Sequence, residues 1–404
     1  MNNYINKISW FIYKIGGLTV NFVLNIFIKQ NKKKVLFGLK PMPYNNDLFM
    51  HNTKYFFLYM RQQKEYKTMW LCDDKKMIKI FKNNGITNVC PRNSLKALWW
   101  ILTAKYWMCD ITPNQITRFC SSKTKSIILN FWHGIPLKKL GYDAENQLYN
   151  FKKGSFQEKI YKLLKKEDNY FIANGNFEQQ CYVTAFNKEK NYIKILGSPR
   201  LDVLFNDIAK SEMFMEKDFE AIKIFKHNGK KIFIYMPTWR DTGSDISGWL
   251  NSNLLKNFLR MNNTVLICKL HPLDKNAINL ESSDELYIMD NSSDVYPILK
   301  YTDALITDYS SVYFDYLLLD KPILYFVPDI EEYQENCRGF YKPFNDLIAG
   351  VKSYTEQELI NSMQYVIDGI DNYKEKRKIL RDEMFKYQDG KNCERAMEFI
   401  RSLD

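Results

Sequence analysis

The run ALITDYSSVYFDYLLLDKPILYF, residues 304–326, decides the fold. ALI is apolar and leads into a polar knot, Thr307-Asp308-Tyr309-Ser310-Ser311. VYFDYLLLDKP then has helical character, and PILYF is again a short apolar strand. Strand, polar turn, helix and strand in that order is the repeating unit of a parallel sheet. Strands too apolar to alternate are strands covered on both faces.

The same unit recurs on either side. KVLFGL, TMWLCD, YWMCD, SIILNF, NYFIA and YIKILG read as strands in the first half, and KIFIYMP, TVLICKLHP, ELYIMD, ALITDYS and PILYF in the second. Helical stretches such as NTKYFFLYMRQQK and SLKALWWILTAK lie between them. A polar, strandless stretch at about 205–229 marks a junction, and the tail from about Thr355 is charged and helical. The fold class is therefore α/β, with two doubly wound domains and a cleft between them, where ligands sit at the carboxyl ends of the strands.

Composition agrees. The chain has 404 residues, 46% of them hydrophobic, enough for two cores of about 150–200 residues. A net charge of +12 suits nucleic acid, an anionic membrane or a phosphorylated substrate, and the basic residues form no single tract that would choose among these. The eight cysteines show no C-x-x-C spacing and read as buried thiols. There is no D-x-D, no P-loop, no G-x-G-x-x-G and no metal-spaced His/Cys cluster, so neither a metal nor another cofactor is expected.

Polar residues recur where the strands should end. SIILNF runs into Trp132-His133-Gly134, YIKIL into Gly197-Ser198-Pro199-Arg200-Leu201-Asp202, KIFIYMP into Thr238-Trp239-Arg240-Asp241, and TVLICKL into His271-Pro272. Arg240 offers a fork-shaped charge for phosphate oxygens. Ser310 and Ser311 offer hydroxyls at a helix start. His271 can donate to a phosphate, and His133 can take a proton near neutral pH. Taken singly, Ser310-Ser311 reads more simply as a helix cap, and Arg240-Asp241 as a surface pair. Five such groups at strand ends point to one site. His51 and His227 lack this context and are expected to face solvent.

Residues 8–28, ISWFIYKIGGLTVNFVLNIFI, are long enough to span a bilayer, but Lys7, Lys14, Asn21, Asn25, Lys29 and Lys32 fall within about 80° on a helical wheel. That single polar stripe, followed by KQNKKK, predicts an amphipathic helix lying on an anionic membrane surface. A helix packed on the protein's own core and a true membrane span are the alternatives.

The ordered motifs FWHGIPLKKLGYD, ILGSPRLD, YMPTWRD, KLHP, ITDYSSVYFDYLLLDKPILYF and RGFY resemble the CDP-glycerol glycerophosphotransferase family of teichoic acid synthesis, over about residues 34–341. The resemblance implies a GT-B-like fold of two Rossmann-like domains, with peripheral, monotopic attachment at the cytoplasmic face of the membrane. It implies a membrane-anchor helix at 1–33, an acceptor-side domain at 34–215, a CDP-donor domain at 216–375 and a C-terminal helix at 376–404. His133 matches the general base and His271 a second essential histidine at the donor pyrophosphate. Thr238, Arg240, Ser310 and Ser311 match donor-phosphate contacts, and Asp308 and Arg338 lie in matching motifs. Gly134, Lys138 and Lys139 fall on the acceptor side, the two lysines reading equally as a solvated helix face.

The function implied is transfer of glycerol phosphate from CDP-glycerol to a hydroxyl of an undecaprenyl-diphosphate-linked disaccharide, with CMP released and no nucleic-acid partner. The chain length resembles that of the primase type. Ribitol-phosphate or capsule polyol-phosphate transfer, a nucleotide-sugar glycosyltransferase of GT-B type, and a membrane-bound carbohydrate-binding or scaffolding protein without turnover are the alternatives.

Overall fold

Side chains on successive strand residues point to opposite faces, and here both faces are apolar and covered. In the computed structural model, which describes residues 27–38, 49–117, 124–144, 169–207, 216–240, 247–271, 280–336 and 339–404, these runs form two all-parallel sheets. The first contains β1 (Asn31–Gly38), β2 (Lys67–Cys72), β3 (Val89–Pro91), β4 (Ala104–Cys109), β5 (Ile127–Asn130), β6 (Tyr170–Ala173) and β7 (Ile193–Ile195), in the order β3-β2-β1-β4-β5-β6-β7. The second contains β8 (Lys231–Met236), β9 (Thr264–Cys268), β10 (Leu286–Ile288), β11 (Ala304–Thr307), β12 (Ile323–Phe326) and β13 (Val351–Ser353), in the order β10-β9-β8-β11-β12-β13. Each order reverses once, between β1 and β4 and between β8 and β11. That reversal is the switch point at which doubly wound sheets bind ligands.

The second sheet shows the two-sided burial directly. Ile232, Ile234, Val265, Ile267 and Leu305 pack into one cluster, while Phe233, Tyr235, Leu266, Cys268, Ala304 and Ile306 pack into another. The first of these clusters also takes in Ile135, Leu137, Phe177 and Leu201, so the two lobes share one apolar core. Six of the cysteines are free and buried.

Two short edge strands, β3 and β13, escaped the sequence reading. Each has three residues, too few for a pattern, and β3 contains Pro91, which an edge tolerates. Where one terminal helix was expected over 376–404, two occur, Lys374–Met384 and Asn392–Ser402. The last places Cys393, Ala396, Met397 and Ile400, one helical face, against Val35, Phe37 and Ile172 of the first sheet. The chain thus crosses into the second lobe and returns.

The amphipathic helix predicted for the amino-terminal segment falls almost wholly outside the described residues. Among those described, no helix is long and apolar enough to cross a membrane. His227 is exposed, as expected, but His51 is half-buried rather than solvent-facing. It begins the helix His51–Gln63, close to Arg200 and Asp294. Burial and the Arg200 charge push its pKa down to about 4, against the opposing pull of Asp294.

Candidate active site

Strand β5 ends in an unusual turn. Trp132 has φ = 53°, a left-handed conformation that bulky residues adopt rarely. Asn130 helps hold it, its Oδ1 accepting from the Trp132 N–H at 2.9 Å while its Nδ2 donates to the Ile111 carbonyl at 2.8 Å. The indole packs edge-on against Phe186 and Tyr182. The turn carries His133 out beside the indole, ring centroids 4.6 Å apart, with the imidazole exposed to the cleft.

The residues just beyond His133 form a seam with the second lobe. Lys138 pairs in an antiparallel bridge with Phe340. The Lys139 N–H donates to the Gly339 carbonyl at 2.9 Å and the Tyr341 N–H to the Leu137 carbonyl at 3.2 Å. The Tyr341 hydroxyl accepts from the Leu140 N–H and donates to Asp143. Two motifs some 200 residues apart in the chain, HGIPLKKLGYD and RGFY, therefore meet at the lobe boundary.

From the second lobe, β8 and β11 end side by side. The buried Asp308 carboxylate accepts from the Thr238 N–H at 2.8 Å and the Tyr309 N–H at 2.5 Å, and pairs with Arg240 at 2.9 Å. Arg240 also donates from Nε to Asp329 at 2.6 Å and lies over the Tyr309 and Tyr333 rings. Burial works against its charge, but Asp329 and Asp308 more than offset this and hold it protonated. The phosphate fork expected of Arg240 is thus engaged by two carboxylates, and the residue braces the loop from beneath. His271, just past β9, stacks on Trp239 with centroids 5.5 Å apart.

Ser310 and Ser311 precede a helix of only five residues, Val312–Tyr316, and Ser311 caps it with no side-chain hydrogen bond. The simple capping reading is not what the geometry shows. Ser311 instead faces Gly134, where a Cβ would lie 2.9 Å from its Oγ.

These elements enclose a cleft of about 320 Å³. His133, Gly134 and Lys138 line it from the first lobe, and Thr238, His271, Ser310 and Ser311 from the second. Lys138 also donates to the Tyr333 hydroxyl, so it does not stand as a solvated face, whereas Lys139 is exposed at the rim. Asp308 and Arg240 lie behind the wall, and Arg338 falls outside the described residues. Trp132, Trp239 and Tyr309, not singled out as site residues from sequence, also line it; their neighbours in the motifs were the only available signal. A wider groove of about 600 Å³, bounded by Ile330, Phe340, Lys342 and Lys352, has neither imidazole in its lining.

The family model for CDP-glycerol:poly(glycerophosphate) glycerophosphotransferases matches residues 20–402. The chain belongs to this family. It is 31% identical over 384 residues to a teichoic acid poly(glycerol phosphate) polymerase of Bacillus spizizenii, covering 92% of this chain and 90% of that one. It is also 28% identical over 318 residues to a teichoic acid glycerol-phosphate primase of Bacillus subtilis, covering 78% and 77%. A member named as a polymerase is therefore matched along most of its length, while another, from Bacillus subtilis, is covered to only 45%. Length does not separate polymerase from primase within the family. Among solved structures, the wall teichoic acid polymerase TagF superposes with a TM-score of 0.72 at 21% identity, covering 100% of this chain and 98% of that one. A TagF variant soaked with CDPG superposes equally well. The α/β fold with two parallel sheets is the fold of TagF.

Proposed function

We propose that this protein transfers glycerol phosphate from CDP-glycerol to a hydroxyl of a polyprenyl-diphosphate-linked saccharide in wall teichoic acid synthesis. One observation carries the reading. The described cleft lining contains two imidazoles, three aliphatic hydroxyls at Thr238, Ser310 and Ser311, and a lysine, but no carboxylate. Tyr309 adds a fourth hydroxyl to that lining, and such a surface welcomes an anionic diphosphate and leaves a histidine as the group suited to accept a proton near neutral pH.

In this reading the acceptor hydroxyl gives its proton to His133 and attacks the β-phosphorus of CDP-glycerol. The phosphoanhydride bond breaks, and CMP leaves with its electron pair. His271, Ser310, Ser311 and Thr238 hold the diphosphate and offset the charge that grows on the leaving phosphate. Arg240 and Asp308 act from behind, by keeping the β8 and β11 loops together. Residues 34–215 present the acceptor and residues 216–375 hold the donor. The net charge of +12 favours work at an anionic membrane surface, where Lys138 and Lys139 lie toward the acceptor.

The test is to incubate purified protein with a synthetic lipid-linked disaccharide and, separately, CDP-glycerol, CDP-ribitol and UDP-sugars, then to measure released nucleotide and product mass. CMP release with CDP-glycerol and a product heavier by one glycerol phosphate supports primase-like transfer. A ladder of masses points to polymerisation, and UDP release would replace the proposal with glycosyl transfer.

A further inference from the structure

The ILGSPRLD motif takes no part in the cleft lining, yet its arginine is the most enclosed cation at the lobe boundary. Arg200 is 0% exposed. It donates from Nη2 to both oxygens of Asp315, at 3.0 and 2.9 Å, and from Nε to Asp315 and to the Tyr296 hydroxyl, at 3.1 and 2.8 Å. Asp315 lies on the short helix that Ser310 and Ser311 precede. On its other side, Arg200 donates from its backbone N–H and from Nη1 to Oδ1 of Asn52, at 3.1 and 3.2 Å. Asn52, also 0% exposed, donates from Nδ2 to the Trp132 carbonyl at 2.7 Å.

Two asparagine amides therefore grip the peptide groups of one left-handed residue, Asn130 at its N–H and Asn52 at its carbonyl, and the next residue is His133. The orientation of the Asn52 amide is dictated by its surroundings. Its oxygen faces two N–H donors and its nitrogen faces a carbonyl, so no other placement satisfies all three. A single buried chain of hydrogen bonds runs from the His133 turn through Asn52, Arg200 and Asp315 to the helix behind Ser311, joining the two lobes.

We infer that Asn52 and Arg200 are positioning residues for the transfer reaction: they fix where the His133 imidazole stands relative to the Ser310 and Ser311 hydroxyls. This rests on reading His133 as the base. Misplacing a reacting group by about 1 Å costs up to about a hundredfold in rate, and Asn52 meets the link at its His133 end, away from the hydroxyls read as holding the donor. Asn52→Ala removes the grip on the Trp132 carbonyl, and Asn52→Asp sets a carboxylate oxygen against it.

The deciding experiment is a double-mutant cycle in the CDP-glycerol assay, using radiolabelled donor and the lipid-linked disaccharide. Asn52→Ala is expected to lower kcat by about 10- to 100-fold with KM for CDP-glycerol changed by less than about threefold, and Asn52→Asp by at least as much. In a His133→Ala background, Asn52→Ala is expected to cost less than about twofold further, because its effect passes through the missing imidazole. Should Asn52→Ala accumulate poorly, Tyr296→Phe loosens the Arg200–Asp315 contact more gently, with an expected loss of about 3- to 10-fold in kcat that also vanishes without His133. Unchanged kcat, or a loss of the same factor in both backgrounds, overturns the positioning role while leaving His133 as the base. Near-normal turnover by His133→Ala alone overturns both.

Discussion

Gly134 and Ser311 face one another across the lobe boundary so closely that one added methyl would rest 2.9 Å from the serine oxygen. Its next contact, the Ser311 Cβ at 3.7 Å, is ordinary. Gly134→Ala can therefore fold, but only by turning the Ser311 hydroxyl away. The expected outcome is a KM for CDP-glycerol raised by about tenfold, equivalent to one charge-assisted hydrogen bond of about 1.4 kcal/mol, with little change in melting temperature. In a Ser311→Ala background the same substitution should add almost nothing. Steady-state kinetics on the four proteins checks this.

His133→Ala should reduce kcat by about 10²–10⁴, the usual range for loss of a general base, while CDP-glycerol still binds by calorimetry. His271→Ala should weaken donor binding as well as slow turnover, since its place is on the donor lobe beside Trp239. Equal behaviour of the two variants in both measurements would remove the distinction drawn between them.

Asp308 holds Arg240 and two backbone N–H groups in a buried setting. Asp308→Asn leaves a buried guanidinium with one carboxylate, Asp329, in place of two. A stability loss of about 3 kcal/mol is expected, the lower end for a broken buried pair because Asp329 remains. Urea denaturation followed by tryptophan fluorescence measures it. A loss under about 1 kcal/mol would show that the brace contributes little.

The low pKa of His51, about 4 when folded, makes a pH prediction. Because the unfolded chain binds a proton at about 6.5, it takes up that proton first as pH falls. The contribution is therefore complete above about pH 6.5 and lost as pH drops toward 4. Between those values the wild type should lose on the order of 3 kcal/mol more than His51→Gln. Parallel stability curves for the two proteins across this window would contradict the assignment.

Much of this molecule was legible from sequence because burial on both faces leaves a plain signature. KVLFGL, SIILNF and ALI cannot stand at a surface, and the residues just past each strand had to be where polar chemistry gathers. Pairings between distant segments were not legible. Nothing in the spacing of TWRD announces that Asp329, 89 positions later, will share Arg240 with Asp308. Nor does the solitary His51 reveal that Arg200 and Asp294 will close around it. These are decided when two lobes meet, and a local pattern of residues carries no record of that meeting.

The carboxyl-terminal helix Asn392–Ser402, seated on the first sheet, means that the polypeptide passes between the lobes twice. The two crossings lie side by side, Asn206 donating to the Gly390 carbonyl at 2.8 Å, and together with the shared core they hold the halves in one register. The cleft that sets His133 opposite Ser311 is thus walled by a single packed body, stitched at both of its seams.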